Sequence, residues 1–263
     1  AKLEPDGETV WEINTKYTGP IKPLVEKIIY RPGTQPLGGS ADEPQVTLAG
    51  YLTGEYYMTG SGGIPNISDL QRAKQEVPDE VHSYAHFQTY YVGMNTFKAP
   101  FDNLKVRQAF SHAIDRDTLT STVLKDQGQP AYTMLMKGFP GEHVDQLKDV
   151  QKYDPELAKS LLAEAGYADG EGFPALEMWI RGPNFPEAAE AVATMLAQNL
   201  NIQVSVVQAE VKTFMDSLNA KELLFYWVPY QFDFVDASNF LSIWRSDGRH
   251  AWKNEQFEEL LRQ

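Results

Sequence analysis

The sequence predicts an α/β fold, in which helices cover a sheet, because of the order of its segments. From about residue 100 onward, segments with apolar residues at helical spacing alternate with short β-branched or aromatic segments, a pattern typical of a sheet packed against helices. The chain has 263 residues, of which 42% are apolar and 22% charged. These values are ordinary for a globular protein and allow one large domain or two modest ones.

The first part of the chain, residues 1–85, has a different composition that is rich in Gly, Pro and Thr. Two short strands and then a loop are predicted here by the segments TVWEI, VEKIIYRP and GTQPLGGSADEP. ISDLQRAKQEV predicts a short helix with Ser68 as its N-cap. HSYAHFQTYYVGMNT is aromatic and β-branched, so it predicts a strand that leads into the second part, residues 86–263.

Capping residues mark the first two helices of the second part. FDNLKVRQAFSHAIDRDTL has Asp102 or Asn103 as its cap, and YDPELAKSLLAEAGY begins with the cap Asp154 and ends at Gly166. The residues expected on the buried faces of these two helices are Val106, Ala109, Phe110, Ala113, Ile114, Leu157, Leu161 and Leu162. Further helices are predicted by FPEAAEAVATMLAQNL and KTFMDSLNA, and strands by ALEMWIRG, IQVSVV and ELLFYWVPY. NEQFEELLRQ at the end of the chain reads as the start of an amphipathic helix.

Charge and composition exclude several classes of function. The formal net charge is −13 and Lys and Arg form no cluster, so we expect no nucleic-acid partner. The absence of Cys removes thiol catalysis and Cys-based zinc sites. His82 and His86 lack a third ligand nearby, and the Gly run at residues 60–63 lacks the Lys of a phosphate-binding loop. We therefore predict no metal, no cofactor and no catalytic residues.

The segment YQFDFVDASNFL places two carboxylates among aromatic residues. Asp236 precedes ASNFLSIW and is predicted to cap a helix. Asp233 directly follows the strand that ends in Phe232, and ligands of open α/β sheets bind beyond the carboxyl ends of strands. Walled by Tyr230, Phe232 and Phe234, Asp233 is expected to be unpaired within the chain and to bind the ammonium group of a ligand.

Several segments in order resemble the extracellular solute-binding proteins, family 5, of ABC importers, and the oligopeptide- or dipeptide-binding members in particular. The most specific is VPDEVHSYAHFQTYYVGMNTFKAPFDNLKVRQAFSHAIDRDTL, accompanied by LTGEYYMT, YDPELAKSLLAEAGY and DFVDASNFL. The resemblance implies a periplasmic-binding-protein-like clamp of class II, cluster C type. Residues 1–85 would belong to its first lobe, strand-rich, and residues 86–263 to its second lobe, which carries half of the ligand site. It also implies that the chain is a fragment without the N-terminal part and the C-terminal end of such a protein.

The resemblance also implies a set of ligand-binding residues. Asp233 matches the position that pairs with the α-amino group of a bound peptide, and the preceding strand, from Trp227 through Tyr230 and Gln231 to Phe232, would run along the peptide. The positions that match residues holding the peptide carboxylate in close relatives are apolar here, namely Phe185, Leu218 and Trp227. Arg181 and Lys212 are the nearby cations that can take their place.

The function implied is capture of a peptide for delivery to ABC permease subunits, in the periplasm or outside the cell, with lipid anchoring as one arrangement. A monomer is expected for the full-length protein. Two alternatives remain at this point. The same clamp can bind a non-peptide solute such as an oligosaccharide, a nickel complex or an opine, with Trp179, Tyr226, Trp227 and Tyr230 as stacking surfaces. A carboxylate-dependent glycoside hydrolase that uses Asp233 is the remote alternative.

Overall fold

A computed structural model describes residues 9–21, 23–30, 46–55, 57, 67–82, 86–125, 127–182 and 185–262. The chain divides into two compact units, residues 1–83 and 84–263. The interpretation of residues 1–85 and 86–263 as parts of two lobes of a clamp stays a prediction. No helix in the described ranges combines the length and the apolar character needed to cross a membrane.

The first unit contains one small sheet and two α-helices in its described part. The strands are β1 (Thr9–Glu12) and β2 (Lys27–Tyr30), which pair antiparallel, and both were predicted. The helices are α1 (Val46–Leu52), which was not predicted, and α2 (Ile67–Glu76), which was. Ser68 is the second residue of α2, so its prediction as N-cap was wrong. The described residues of this unit are thus not strand-rich, and the predicted loop GTQPLGGSADEP lies outside them.

A four-stranded sheet organises the second unit, and all four of its strands were predicted. The strands are β3 (Gln88–Met94), β4 (Leu176–Arg181), β5 (Val204–Ala209) and β6 (Phe225–Gln231). Their order is β3-β6-β4-β5, with β3 antiparallel to β6, and β4 parallel to both β6 and β5. The strand that precedes Asp233 therefore lies inside the sheet, with a neighbour on each side over part of its length.

Eight α-helices accompany this sheet in the described residues, and the sequence signals at their ends explain most of their boundaries. They are α3 (Leu104–His112), α4 (Arg116–Thr118), α5 (Val144–Leu147), α6 (Pro155–Glu164), α7 (Pro186–Leu200), α8 (Val211–Asn219), α9 (Ala237–Ser242) and α10 (Glu255–Arg262). The side chain of Asn103, rather than Asp102, caps α3 by accepting the Lys105 N–H at 2.9 Å. Asp154 caps α6 as predicted, accepting the Leu157 N–H at 3.0 Å.

The main core lies between one face of the sheet and helices α3, α6 and α7. Its centre is formed by fully buried side chains that include Phe101, Phe110, Val106, Leu162, Met178, Ile180, Val192 and Leu196. Of the stripe predicted for α6, Leu162 is buried and Leu161 packs against the core as predicted, whereas Leu157 is 38% exposed and Ala158 is buried instead. This core fixes β4 and β6 against α7 and so positions the carboxyl ends of both strands.

Two smaller clusters cover the opposite face of the sheet. One contains Phe214, Leu218, Tyr226 and Val228, and the other contains Leu135, Phe139, Tyr230, Phe240 and Ile243. Leu218 is only 1% exposed, so it is a core residue and does not reach a ligand. The second of these clusters packs directly below the loop that carries Asp233.

Candidate functional site

The carboxyl-terminal half of β6 has one unpaired edge. The N–H of Phe232 donates to the carbonyl oxygen of Phe87 at 3.4 Å. Because hydrogen-bonded pairs alternate in an antiparallel ladder, the main-chain groups of Tyr230 and Val228 also point to β3, while those of Trp227, Pro229 and Gln231 point the other way. The pairing of β6 with β4 stops at Trp227. The carbonyl of Pro229 and both main-chain groups of Gln231 therefore face an edge that no strand of the described residues covers.

Pro229 is compatible with this position because it lacks an N–H. A proline inside a sheet is tolerated where its nitrogen faces an uncovered edge. Here the register sets Pro229 opposite Tyr90 in a pair that exchanges no hydrogen bonds. The proline thus removes one donor from the open edge and leaves the acceptor in place.

Asp233 lies two residues beyond the end of β6 and is exposed. Its Oδ2 accepts a hydrogen bond from the Tyr230 hydroxyl at 3.2 Å and another from Nδ2 of Asn239 at 3.3 Å. The expectation that Asp233 has no partner in the chain was therefore wrong. Both partners are neutral, and no cation pairs with it in the described residues. The carboxylate keeps its negative charge uncompensated while one of its oxygens is held in place.

Asn239 was not anticipated from the sequence, although it organises the loop around Asp233. It is only 5% exposed. Its Oδ1 accepts the main-chain N–H of Asp233 at 2.9 Å, and its Nδ2 donates to the carboxylate of the same residue. The amide thus fixes both the backbone and the side chain of Asp233. The hydrogen bonds between Asn239 and Asp233 could not be predicted from the sequence, because no periodic pattern relates residues six apart in a loop.

Asp236 caps α9 as predicted. Its Oδ1 accepts the N–H of Ser238 at 2.9 Å, and hydrogen bonds to Ser238 lower the pKa of the carboxyl group. The two carboxylates of the segment therefore have separate roles. Asp236 caps the helix whose first turn contains Asn239, and Asn239 forms hydrogen bonds with Asp233.

The aromatic residues near Asp233 divide into packed and exposed ones. Tyr230 is 8% exposed and packs edge-on against Phe240 at 5.3 Å. Phe232 packs against Phe87 and Phe139. Phe234 is 55% exposed and contributes no packed wall. Of the predicted aromatic wall, Tyr230 contacts Asp233, through its hydroxyl.

Trp227 and Phe185 lie on the opposite face of the sheet from Tyr230. Trp227 is 5% exposed in the main core and stacks on Tyr90 at 5.9 Å, and Tyr90 in turn meets Phe185 edge-on at 5.1 Å. The main-chain groups of Trp227 point to β4. Trp227 therefore does not fit the ligand-contacting role predicted for it, and Phe185 is placed with the core rather than with Asp233.

Arg181 ends β4 next to the open edge of β6 and is partly buried. Burial lowers its pKa, and the positive charge of Arg249 acts in the same direction. Arg249, a residue that no sequence motif marks, lies with its guanidinium carbon 5.3 Å from the centre of the Tyr230 ring. Lys212, the other predicted cation, is exposed and pairs with Asp216.

A buried histidine connects the sheet to the segment that carries Arg249. Nδ1 of His250 is 2.7 Å from the Tyr226 hydroxyl, and Nε2 is 2.8 Å from the Tyr91 hydroxyl. A neutral imidazole has one donor and one acceptor nitrogen, so one tyrosine donates and the other accepts. Trp244 stacks on the ring at 4.2 Å. This network fixes the backbone next to Arg249 against β3 and β6.

The burial of His250 predicts a dependence of stability on pH. Desolvation, with smaller effects from Arg249 and Lys221, lowers its pKa from 6.5 to about 3. Between these values the unfolded chain binds a proton that the folded protein does not. The free energy of unfolding therefore has its full value above pH 6.5, and it decreases as the pH falls toward 3 because the unfolded chain then binds the extra proton. We expect His250 to account for a loss of about 2 kcal/mol in unfolding free energy between pH 7 and pH 5.

Urea unfolding of the wild type and His250→Gln at pH 7 and pH 5 measures this. The variant is less stable at pH 7 because two hydrogen bonds are disturbed, but its loss between the two pH values is smaller by about 2 kcal/mol. Equal losses in both proteins would contradict the assignment of a buried, neutral His250.

An open cavity of about 610 Å³ lies away from Asp233, at the amino-terminal end of β4, and is lined by Leu176, Glu177, Trp179, Ser205 and Glu222 among others. We place the site at the carboxyl end of the strands, because ligands of open α/β sheets bind there. The described ranges contain no group of three residues able to hold a metal ion.

Known proteins are similar to this chain over nearly its whole length. Residues 1–252 match the family model described as "Bacterial extracellular solute-binding proteins, family 5 Middle". The chain is 29% identical over 259 residues to the periplasmic oligopeptide-binding protein OppA of Salmonella typhimurium, a match that covers 96% of this chain and 46% of that protein. The chain thus spans about half the length of this curated relative.

Solved structures show the same likeness. A periplasmic oligopeptide-binding protein of Borrelia burgdorferi matches with a TM-score of 0.77 at 27% identity, covering 98% of this chain and 50% of that one. The dipeptide-binding protein of a Pseudoalteromonas species, solved in complex with Met-Leu, matches with a TM-score of 0.73 at 25% identity, covering 99% and 50%. The predicted periplasmic-binding-protein-like fold is therefore confirmed.

Proposed function

This chain belongs to the bacterial extracellular solute-binding proteins, family 5, and we propose that it binds peptides for an ABC importer. In this role it forms part of the substrate-binding component, which captures an oligopeptide or dipeptide and delivers it to permease subunits in the membrane. The observation that carries the proposal is the placement of Asp233, an exposed carboxylate held by two neutral donors just beyond an open strand edge. The oligopeptide- and dipeptide-binding proteins that the chain is similar to support the same substrate class.

The open edge of β6 offers main-chain recognition of a peptide. The N–H and carbonyl of the exposed Gln231 point to an extended chain that lies beside the strand where β4 has ended, whereas Pro229 is buried. Adding a strand to a sheet edge gives affinity through groups that every peptide has. Such binding suits a carrier that accepts many sequences. In this proposal Gln231, Tyr230 and Phe232 remain ligand-binding residues, as the sequence predicted.

Asp233 supplies the charge that orients the peptide. A free peptide has an ammonium group at its amino terminus, and a hydrogen bond between an ammonium and a carboxylate is stronger than one between neutral groups. Asn239 and Tyr230 hold Oδ2 of the carboxylate, so Oδ1 is directed to the ligand at no further cost in side-chain order. The ammonium fixes the direction of the chain along the strand.

No chemistry is proposed for this site. The glycoside hydrolase alternative needs two carboxyl groups that face each other across a sugar, and Asp236 is engaged as the cap of α9 instead. The stacking surfaces considered for an oligosaccharide are also reduced, since Tyr226, Trp227 and Tyr230 are 1%, 5% and 8% exposed. These observations favour a peptide over a sugar as the ligand and a binding role over an enzymatic one.

The setting of this function is also a proposal. The segments at residues 1–85 and 86–263 would belong to two lobes that close on the ligand, with closure stabilised by contacts from both. The protein would act in the periplasm or outside the cell, either free or through a lipid anchor, and as a monomer. A net charge of −13 supports the absence of a nucleic-acid partner.

Blocking the amino group of the ligand tests the proposal. We expect the full-length protein to bind tri-alanine and to bind N-acetyl-tri-alanine at least tenfold more weakly, because acetylation removes the charge that Asp233 recognises. Isothermal titration calorimetry with both peptides measures the ratio. Equal binding would overturn the ammonium role, and binding of neither peptide by the ligand-free protein would favour a non-peptide solute.

A further inference from the structure

We propose that Arg249 is a positioning residue for the carboxylate of Asp233. It holds the ring of Tyr230 in place, and the hydroxyl of Tyr230 in turn holds the carboxylate that receives the amino group of the ligand. The inference rests on the proposed function and adds to it a residue that acts on the ligand through two other side chains. In this role Arg249 does not contact the ligand.

The hydrogen bond from Tyr230 to Asp233 depends on where the tyrosine ring is held. The hydroxyl donates to Oδ2 of Asp233 at 3.2 Å, which is long for a bond between two oxygen atoms, since these are usually about 2.7–2.8 Å apart. Burial raises the pKa of Tyr230, and the negative charge of Asp233 acts in the same direction, so the hydroxyl keeps its proton at neutral pH. A small outward movement of the ring would therefore break the bond.

The ring of Tyr230 is held by its core cluster and by Arg249. Within the cluster, Phe240 packs edge-on against the ring at 5.3 Å. The guanidinium carbon of Arg249 lies over the ring, 5.3 Å from its centre. The face of an aromatic ring attracts a cation, and a planar guanidinium can stack on it. Loss of Arg249 would leave the ring with its apolar contacts alone.

The backbone that carries Arg249 is fixed to the sheet on its C-terminal side. His250, the next residue, is hydrogen-bonded to the hydroxyl groups of two tyrosines, one on β3 and one on β6. The carbonyl oxygen of Ala251 accepts hydrogen bonds from the N–H and the hydroxyl of Thr96, each at 2.9 Å. An arginine that starts from a fixed backbone loses less conformational entropy when its side chain is held against a ring.

No acidic residue accounts for the position of Arg249 in the part of the chain that the structure describes. Asp247, two positions earlier, pairs with Arg245 at 2.9 Å, and no other described carboxylate lies within ion-pair distance of the Arg249 guanidinium. Arg249 is nevertheless partly buried. The ring of Tyr230 is thus the partner that places the guanidinium.

The positive charge of Arg249 would by itself have the opposite effect on binding. A cation near the site repels the ammonium of the ligand, whereas a correctly held Asp233 attracts it. Asp233 is exposed and is not within ion-pair distance of Arg249, so water and salt screen the repulsion. The hydrogen bond from Tyr230 acts by direct contact. We therefore expect the positioning effect to exceed the repulsion.

A double-mutant cycle in the full-length protein tests the inference. Calorimetry gives the affinities of the wild type, Arg249→Gln, Tyr230→Phe and the double variant for tri-alanine and for N-acetyl-tri-alanine. The ratio of the two affinities measures recognition of the amino group and does not depend on the fraction of protein that is folded. Both peptides have the same carboxylate, so any contact between Arg249 and that carboxylate cancels in the ratio. Arg245→Gln is the matched control, because this exposed arginine pairs with Asp247.

We expect the wild type and Arg245→Gln to bind tri-alanine about tenfold more tightly than the acetylated peptide, and this ratio to fall about three- to fivefold in Arg249→Gln. Tyr230→Phe is expected to lower the ratio at least as much. Addition of Arg249→Gln to Tyr230→Phe is expected to change it no further, because the hydroxyl through which Arg249 acts is already absent.

Two results would overturn this inference and leave the proposed function intact. One is a ratio in Arg249→Gln that equals or exceeds that of the wild type. The other is an equal effect of Arg249→Gln with and without the Tyr230 hydroxyl, which would show that Arg249 does not act through it. A wild type that binds neither peptide, or both equally, would contradict the proposed role of Asp233 and this inference with it.

Discussion

Replacement of Asp233 by Asn is expected to weaken binding of a peptide with a free amino group by about 10- to 100-fold. A hydrogen bond to a charged group contributes about 1.5–3 kcal/mol, and the substitution removes the charge while it keeps the size of the side chain. The partners Tyr230 and Asn239 remain present to hold the new amide. The loss therefore reports on the contact with the ligand rather than on the fold of the loop.

Asp236→Ser is the matched control for Asp233→Asn. Asp236 is an exposed carboxylate three residues further along, and serine preserves the cap that it provides for α9. The control removes the same charge from the same loop, so a general electrostatic attraction would weaken equally in both variants. We expect the control to bind like the wild type. A similar loss in both variants would contradict a specific role for Asp233.

Replacement of Gly93 by Ala is expected to lower the free energy of unfolding by about 3 kcal/mol, near the upper end for overpacked cores. A Cβ at Gly93 would lie 2.1 Å from Cε2 and 2.2 Å from Cζ of Tyr226. Tyr226 cannot move aside easily, because it is 1% exposed and its hydroxyl is bonded to His250. Gly93 sits directly opposite Tyr226 in the β3–β6 pair, so the ring lies across the glycine.

Thermal and urea unfolding of Gly93→Ala and Gly128→Ala measure this effect. A Cβ added at Gly128 would have no atom within 4 Å, so this substitution adds the same methyl group without a clash. We expect Gly128→Ala to remain within about 0.5 kcal/mol of the wild type. A Gly93→Ala protein as stable as its control would show that the Tyr226 ring is free to shift, and would weaken the view that the Tyr–His–Tyr network fixes the segment of Arg249.

The elements around the site were predictable because their signals are local. The aromatic run before Asp233 predicted β6, the acidic residue before ASNFL predicted the cap of α9, and Asp154 with Pro155 predicted the start of α6. Each of these inferences uses residues within one turn or one strand. The position of Asp233 at a strand end followed from the same local pattern.

The partners within the site were not predictable, because they depend on tertiary contacts. Asn239 meets Asp233 only because α9 turns back over the end of β6. Arg249 and His250 lie far along the chain from Tyr91 and are joined to it by the packing of the last segment on the sheet. Trp227 looked like a pocket residue in sequence, and the register of β6 places it in the core instead.

The errors in secondary structure have physical causes as well. Helix α1 has the sequence VTLAGYL, whose β-branched residues and glycine disfavour a helix in isolation. Ser68 is a good capping residue, but α2 begins one residue earlier. Leu157 satisfies helical spacing, yet the small Ala158 is the residue that is buried in the core, where α6 packs against α3 and α7.

The contact between Asp233 and the ligand's amino group is the central claim, and a double-mutant cycle tests it most directly. Calorimetry gives the affinities of wild type and Asp233→Asn for tri-alanine and for N-acetyl-tri-alanine, each with the full-length protein. If the two groups touch, removal of either one abolishes their interaction, so the second removal costs little and the effects are non-additive by at least about 1 kcal/mol. Additive effects would show that Asp233 and the amino group act independently, which would contradict the account.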